Sequence, residues 1–210
     1  MFPILVPPRI LELEIMRRNK TPGLDFKLRE LGIASFHPKK SKVSPKGKIE
    51  DFEKKYQIEL QPDYRQFVSR YCPAVFKKPA FYSPLEKSPK TPEDALEEIT
   101  VFYGLSADEN NLIRIKEAYA NRMPDFLIPI ADTPDGDQVC LCVKGDCKDN
   151  VYLWDHDCES KSPNDEPYEN LYLIANTFSD FIQSFRVVEH EFTDDEIEGV
   201  DVWLDEDLSD

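Results

Sequence analysis

The sequence predicts an α+β domain with N-terminal helices, a mostly antiparallel central sheet of about five to six strands, and a closing C-terminal helix. Apolar residues at helical spacing dominate the first part of the chain. Short apolar runs bounded by turn residues dominate the middle, and a helical apolar stripe returns near the end. The strand–helix alternation and glycine-rich loops of nucleotide-binding folds are absent from the sequence.

The N-terminal part of the chain predicts one short helix and a linker. Leu24, Leu28 and Leu31 have helical spacing, and Gly32 would end that helix. The stretch HPKKSKVSPKGK that follows is rich in lysine, serine and proline and predicts a linker. The main domain is therefore expected to begin near Lys48.

Two helices are predicted next, followed by less regular segments. The first carries Ile49, Phe52 and Tyr56 on one face, and the second begins with Pro62 and Asp63, which suit a first helical turn. Further along, the sequence predicts a strand in AVFKKPAFYSPLE, a short helix and then a strand in TPEDALEEITVFYGL, and a helix in SADENNLIRIKEAYANRMPD.

The last third of the domain predicts four strands and the closing helix. The strands are FLIPIA, DQVCLCVKG, NVYLWDHD and LYLIA, with the second and third joined by the turn GDCKDN. The closing helix is TFSDFIQSFRVVE, with Thr177 or Ser179 as its N-cap.

Charge is unevenly distributed along the chain, whose net charge is −15. Residues 1–48 hold eleven Lys/Arg against four Asp/Glu, and residues 189–210 hold eleven Asp/Glu and no basic residue. We therefore divide the chain into a basic extension and linker (1–47), a domain (48–188) and an acidic tail (189–210). Each end is expected to be a solvated segment. In the alternatives, the basic extension, which we call the basic arm, contacts the acidic tail, or the tail imitates a polyanion for a basic partner.

Composition also restricts location and partners. An acidic protein repels nucleic acid and anionic membranes, so neither is expected as a partner. The apolar start is broken by Pro3, Pro7 and Pro8, and the sequence contains no apolar run of about 18 residues. We expect a cytoplasmic protein whose five cysteines are reduced. Its oligomeric state is not predicted by these features.

The segment from Asp132 to Glu159 holds four of the cysteines and many aspartates, so it is the first candidate for a metal site. It fails the calcium-loop pattern, because Pro134 and Gly136 occupy the third and fifth positions. A looser acidic site made by Asp132, Asp135 and Asp137 stays an alternative.

Zinc binding by the same segment is a second alternative. The spacings are Cys140-x-Cys142, then Cys147, then His156-x-Cys158, and these differ from the CxxC pairs of structural zinc sites. Val139, Leu141 and Val143 fill the other face of the Cys140–Cys142 strand. The sequence therefore favours a buried strand in which the cysteines act as small apolar residues, with no metal and no cofactor.

Catalysis is not indicated by the residues. The sequence has no GxSxG motif and three histidines, and its 41 acidic residues make any chosen pair of carboxylates uninformative. We interpret Asp132–Asp157 as a hairpin whose acidic residues lie at the loop ends, within reach of a partner.

This hairpin also carries a family resemblance. The stretch FLIPIADTPDGDQVCLCVKGDCKDNVYLWDHD resembles the central strands of the SUKH superfamily, the Smi/Knr-like domains. IEDFEKKYQIELQPDYRQFVSRY resembles the opening of those domains, and LIANTFSDFIQSF their closing helix. The resemblance covers roughly residues 48–188. It departs from the family at Cys72-Pro73-Ala74, where an Asn-Gly type turn is usual, and the arm and tail lie outside it.

The resemblance implies a SUKH-like fold and a binding protein without catalytic residues. Bacterial members are typically immunity proteins that neutralise a toxin, often a nuclease, whereas eukaryotic and viral relatives serve as regulatory or scaffolding modules. The first hypothesis is thus an immunity protein that occludes a basic toxin domain, and the second is a regulatory scaffold for an endogenous protein. A tryptophan on a strand buries a large apolar area, so Trp154 is expected in the core. The candidate partner contacts are Asp132, Asp135, Asp137, Asp146, Asp149, Asp155 and Asp157.

Overall fold

The computed structural model describes residues 23–35, 45–106, 109–159 and 168–188. The acidic tail and residues 1–22 of the basic arm lie outside the described residues, as does most of the predicted linker. In the described part of the chain, five α-helices and ten strands form one α+β unit, which confirms the predicted fold class. The helices are α1 (Leu24–Glu30), α2 (Pro45–Tyr56), α3 (Pro62–Arg70), α4 (Leu112–Ala118) and α5 (Phe178–Ser184).

Seven strands form the main sheet, in the spatial order β1-β2-β5-β6-β7-β8-β9, and every neighbouring pair is antiparallel. A second sheet has the order β10-β3-β4. The strands are β1 (Ile33–Ser35), β2 (Ala74–Phe76), β3 (Ala80–Tyr82), β4 (Glu97–Glu98), β5 (Val101–Phe102), β6 (Leu127–Asp132), β7 (Gln138–Cys142), β8 (Val151–Trp154), β9 (Leu171–Ala175) and β10 (Arg186–Val187).

The main core lies between the helices and one face of the seven-stranded sheet. Phe67 of α3 and Phe178 of α5 are fully buried, with ring centroids 5.0 Å apart. On the sheet, Val139 and Leu141 of β7 belong to the same core. These apolar contacts fix the position of the β6–β7–β8 hairpins relative to the helices.

A smaller apolar cluster covers the opposite face of the hairpin strands. It contains Cys140 and Trp154, both fully buried, packed with Met123 and Leu127. Strand β7 is thus apolar on both faces, as predicted for a central strand. Trp154 is confirmed as a core residue, and its ring contacts Tyr119 at a centroid distance of 5.1 Å.

The short helix α1 and strand β1 contribute to this same unit. Leu28 and Leu31 are buried in the main core, and Gly32 has a positive φ of 70° where the helix ends. Residues 33–35 then pair with β2 at the edge of the main sheet. The predicted domain boundary near Lys48 stays a prediction, while residues 23–35 supply a helix and an edge strand to the core.

Two local expectations differ from the structure. The segment AVFKKPAFYSPLE forms two strands in different sheets, with Pro79 between them, because proline cannot donate a ladder hydrogen bond. Residues 91–96 form a turn in place of the short helix, and Ala95 has a φ of 56°. The main sheet has seven strands, more than the five to six expected, because β1 joins it at the edge beside β2.

The turn between β7 and β8 contains a disulfide bond. Cys142 and Cys147 are joined, with Cα atoms 5.9 Å apart, because the turn folds Cys147 back towards the end of β7. The expectation of reduced thiols is therefore wrong for this pair. The remaining cysteines of the described residues are free: Cys72 and Cys140 are buried, and Cys158 is exposed.

Among the described residues, no helix combines the length and the apolar character that crossing a membrane requires.

Candidate functional site

An ion cluster centred on Lys90 joins three loops at one end of the main sheet. The ammonium group of Lys90 lies 3.1 Å from Asp137, 2.7 Å from Asp155 and 2.9 Å from Asp157. Asp137 immediately precedes β7 and Asp155 immediately follows β8, so antiparallel pairing brings them to the same end of the hairpin. Lys90 comes from the connection between β3 and β4. We call these four residues the Lys90 cluster.

The two aspartates next to the strands are buried and fully engaged. The Asp137 side chain is 4% exposed and accepts hydrogen bonds from the backbone N–H of His156 and from Lys90. Its Oδ1 also lies 2.7 Å from Nδ1 of His156. Asp155, 2% exposed, accepts from the backbone N–H of Asp157 and so caps the one-turn 3₁₀-helix His156–Cys158.

Lys90 and Asp155 stabilise each other's charged forms. Burial alone would lower the pKa of Lys90, but hydrogen bonds to Asp155, Asp157 and Asp137 raise it well above its ordinary value. Burial likewise acts to raise the pKa of Asp155, yet Lys90 and the N–H of Asp157 hold it below its ordinary value. Lys90 and Asp155 are therefore both charged over the physiological pH range.

The tight loop between β6 and β7 aligns Asp137 with His156. Gly136 has a φ of 83°, in the region that favours glycine, and a side chain there would contact the His156 ring. The N–H and hydroxyl groups of Thr133 both donate to the carbonyl of Asp137 and close the loop.

Asp132 has a supporting position beside this loop. It is half-buried and accepts a hydrogen bond of 2.8 Å from the Gln138 side chain, which in turn accepts one from the Tyr103 hydroxyl. Burial raises the pKa of Asp132, and the hydrogen bonds from Gln138 and Thr133 oppose that rise. Its carboxylate thus belongs to a network that closes the end of β6.

A recess with a volume of about 220 Å³ opens beside the cluster. Its polar wall contains the carboxyl groups of Glu97, Glu98, Asp135 and Asp137, and Phe81, Leu96 and Leu153 contribute apolar surface. The lining residues and the two further ion-pair partners Asp155 and Asp157 together carry six carboxyl groups and one ammonium group, that of Lys90. Three of the six carboxyl groups contact Lys90 directly. The recess has the charge and size to accept a basic side chain.

The structure separates the seven predicted contact residues into two groups. Five lie at the Lys90 end of the hairpins: Asp132, Asp135, Asp137, Asp155 and Asp157. Asp146 and Asp149 lie on the turn after β7, at the opposite end of the same hairpin. Asp135, Asp146 and Asp157 are exposed and Asp149 is half-buried. Partner contact by any of them stays a prediction. Asp137 and Asp155 are buried, so their side chains support the surface from below and are not themselves exposed.

Comparison with known proteins identifies the family. Residues 45–184, about two thirds of the chain, match the SMI1 / KNR4 family (SUKH-1). The chain belongs to this SUKH family. The matched region runs from α2 to the end of α5 and contains every residue of the Lys90 cluster.

A curated relative extends the similarity beyond the domain. The chain is 29% identical over 198 residues to the SPbeta prophage-derived uncharacterized protein YokK of Bacillus subtilis (strain 168). The alignment covers 88% of this chain and 96% of that protein, so the likeness includes sequence outside the SUKH match.

Lys90, Glu97 and Glu98 are the site residues that sequence reasoning missed. Lys90 lies 47 residues before Asp137 and 65 before Asp155, in a loop without hydrophobic periodicity. The pattern Ser88-x-x-Thr91 was the available local signal, because the Thr91 hydroxyl accepts from the Ser88 N–H and donates to Glu97, fixing the loop that carries Lys90.

The Lys90 cluster also bears on the metal alternatives. Donor atoms of Asp137, Asp155 and His156 lie within 4.8 Å of one another, which is metal-ligand spacing. The Lys90 ammonium group already contacts both carboxylates, so the protein supplies its own cation at this position. The cysteines do not converge on a zinc site either, since Cys142 and Cys147 are bonded to each other and Cys158 is exposed beyond the opposite end of β8.

Proposed function

We propose that this SUKH protein is a non-enzymatic immunity protein that neutralises a basic toxin domain by covering its active surface. The observation that carries the proposal is the preformed acidic recess at the Lys90 cluster. A toxin that cleaves nucleic acid must bind phosphates, so its active surface is basic. An acidic surface of fixed geometry would steer such a domain into place and compete with its substrate.

The rigidity of the recess favours binding over mere solubility. Lys90 holds three aspartates in fixed positions, and a preorganised surface loses little conformational entropy when a partner docks. The exposed acids Asp135, Asp157 and Glu98 would form direct contacts, and Asp137 and Asp155 would hold them in place. Asp146 and Asp149 would contact a second region of a large partner.

The relative supports an immunity role over a housekeeping scaffold. That protein is described as prophage-derived, and a mobile element benefits from protecting the cell that carries it against competitors. A scaffold role would instead depend on an endogenous partner, and the partner's identity distinguishes the two.

The test begins with capture of partners from native lysate at low and high salt, followed by identification by mass spectrometry. Support requires a basic toxin domain that binds the full-length protein at 1:1 stoichiometry in calorimetry and loses its activity on binding. Capture of endogenous kinases, cell-envelope enzymes or cytoskeletal proteins, with no inhibited toxin, would refute the immunity role and favour the scaffold.

Charge-reversal variants then locate the contact. Asp135→Lys and Asp157→Lys should each slow association with the captured toxin about tenfold at low salt, because exposed interfacial charges act mainly on the association rate. Asp51→Lys, an equal charge change on the exposed side of α2, is the matched control and should leave the rate within about twofold. Equal effects of all three variants would place the contact elsewhere.

A further inference from the structure

A second recess, with a volume of about 350 Å³, lies where the end of α2 meets α4 and the end of β7. Tyr56 and Tyr119 form aromatic walls, and Met123 and Val143 contribute apolar surface. Three lysines also line it, Lys55, Lys116 and Lys144. We call it the lysine recess.

Two of the three lysines lie over one aromatic ring. The ammonium groups of Lys55 and Lys116 lie 5.3 and 5.5 Å from the ring centroid of Tyr56. Lys116 is half-buried and donates a hydrogen bond of 2.8 Å to the carbonyl of Leu127. Burial lowers the pKa of Lys116. The interactions with Cys140 and Asp125 oppose this shift, and the nearby charge of Lys144 adds to it. A negative group entering the recess would relieve both penalties.

The acidic groups of the recess leave a positive excess. Three ammonium groups face the carboxyl groups of Glu117 and Asp125. Glu117 pairs with Lys55 at 2.5 Å, which leaves the two ammonium groups of Lys116 and Lys144 against the carboxyl group of Asp125. A positively charged recess on a chain of net charge −15 selects an anionic ligand.

The chain itself contains a segment of matching chemistry. Residues 189–210 hold eleven acidic residues and no basic residue, together with Phe192 and Trp203. The described chain ends at Val188, next to β10. At about 3.3 Å per residue, the 22 residues that follow can extend roughly 70 Å. Half the circumference of a domain of this size is about 60 Å, so the last residues of the tail can reach the recess wherever it lies on the surface.

We propose that the lysine recess is a docking site for the acidic tail of the same chain, residues 189–210. The tail carboxylates pair with Lys55, Lys116 and Lys144, and a tail aromatic ring contacts Tyr56 or Tyr119. Attachment to the domain gives the tail an effective concentration on the order of millimolar, so a weak individual contact is sufficient. This inference is independent of the toxin-binding proposal, because it concerns a positively charged recess and the toxin-binding proposal concerns an acidic one.

Zero-length carbodiimide cross-linking of the full-length protein tests the contact, because the reagent joins carboxylates to amines that already touch. Peptide mapping of the monomer should show tail carboxylates beyond position 193 joined to Lys55, Lys116 or Lys144. In the variant K55Q/K144Q the remaining cross-links to Lys116 should fall at least fivefold. The control K46Q/K87Q changes the same charge at two exposed lysines outside the recess and should retain them.

Nitrogen relaxation of the tail amides provides a second measurement on the same proteins. In wild type and control, the tail should be restricted at low salt and released at about 1 M salt, where the Debye length falls to about 3 Å. In K55Q/K144Q the tail should move freely at both salt concentrations. Cross-links from the tail to lysines of the basic arm, or a tail that is equally free in all three proteins, would overturn the proposal.

Discussion

Replacing Lys90 with methionine tests whether the Lys90 cluster is held together by its own cation. Methionine keeps most of the side-chain volume and removes the charge. The change leaves Asp137 and Asp155 buried, with carboxylate oxygens within 4.8 Å of each other and no ammonium group between them. Both a lost attraction and a new repulsion then act against the folded state.

The expected magnitude follows from these distances. Two unit charges no more than 4.8 Å apart repel by at least about 3.5 kcal/mol at an effective dielectric constant of about 20. Removing one partner of a buried ion pair costs about 3–5 kcal/mol. The Lys90 side chain is 30% exposed, so water screens part of the interaction. We therefore expect Lys90→Met to lower the free energy of unfolding by about 2–3 kcal/mol at pH 7.

The stability difference between wild type and Lys90→Met should depend on pH. The pKa of Asp155 is lowered in the folded protein, so its stabilising contribution is present above the ordinary carboxyl value of about 3.9 and is lost as the pH falls through the lower folded value. Protonation at acid pH also removes the repulsion in the variant. The difference between wild type and variant should be largest near pH 7 and should shrink below about pH 4.

Urea unfolding of wild type, Lys90→Met and Lys87→Met at pH 7 and pH 3.5 measures this difference in stability. Lys87 is an exposed lysine on the same loop, and its replacement should change stability by less than about 0.5 kcal/mol. For a slope of about 2 kcal/mol per molar urea, Lys90→Met should lower the midpoint by roughly 1 M at pH 7. A loss of equal size at pH 7 and pH 3.5, or a loss no larger than that of the control, would refute the electrostatic account.

Three further predictions concern packing and thiols. Trp154→Ala should lower the free energy of unfolding by about 3–5 kcal/mol in the same urea assay, because it opens a cavity beside Tyr119. Gly104→Ala should lower the free energy of unfolding by about 3 kcal/mol, because its new methyl group would collide with the backbone at Pro73. The control Ser83→Ala, at an exposed position, should leave the free energy of unfolding nearly unchanged. A thiol reagent should modify one cysteine of the native protein, the exposed Cys158, and two more after unfolding without reductant. The charge of Asp155 raises the Cys158 pKa, so its rate should increase steeply above pH 8, and a fast reaction at pH 7 would contradict this.

The sequence was sufficient for the fold class because local pattern and tertiary position agree in the strongest elements. The apolar stripe of α3 and the doubly apolar strand β7 could each be predicted, since burial on one face leaves a periodic signal and burial on both faces leaves a short continuous apolar run. The Thr177 cap of α5 was predictable for the same local reason, because its hydroxyl accepts from the N–H of Asp180 three residues on.

The elements that escaped prediction depend on contacts between distant parts of the chain. The segment around Pro79 is divided because β2 pairs in the seven-stranded sheet and β3 in the three-stranded sheet. Strand β1 depends on pairing with the edge of β2, about 40 residues further along the chain. The Lys90 cluster is the clearest case at the site. Its acids were identified as a group, but the cation that organises them lies in a loop whose composition resembles any other exposed turn.

Lys90 also changes how the acidity of the hairpin should be interpreted. A sequence count treats each aspartate of the segment as an available negative charge, but two of the four aspartates that meet at Lys90 and its recess are buried. Under the proposed function, a partner would meet the exposed carboxylates of Asp135 and Asp157, and the ion pairs of Lys90 hold the Asp157 carboxylate in place. Specificity then depends on the positions of a few fixed charges more than on the net charge of the chain. Exposed charges are screened by salt and buried pairs much less. Salt should thus weaken association with a basic partner while leaving the shape of the recess intact, which a partner bound through unstructured acidic segments would not show.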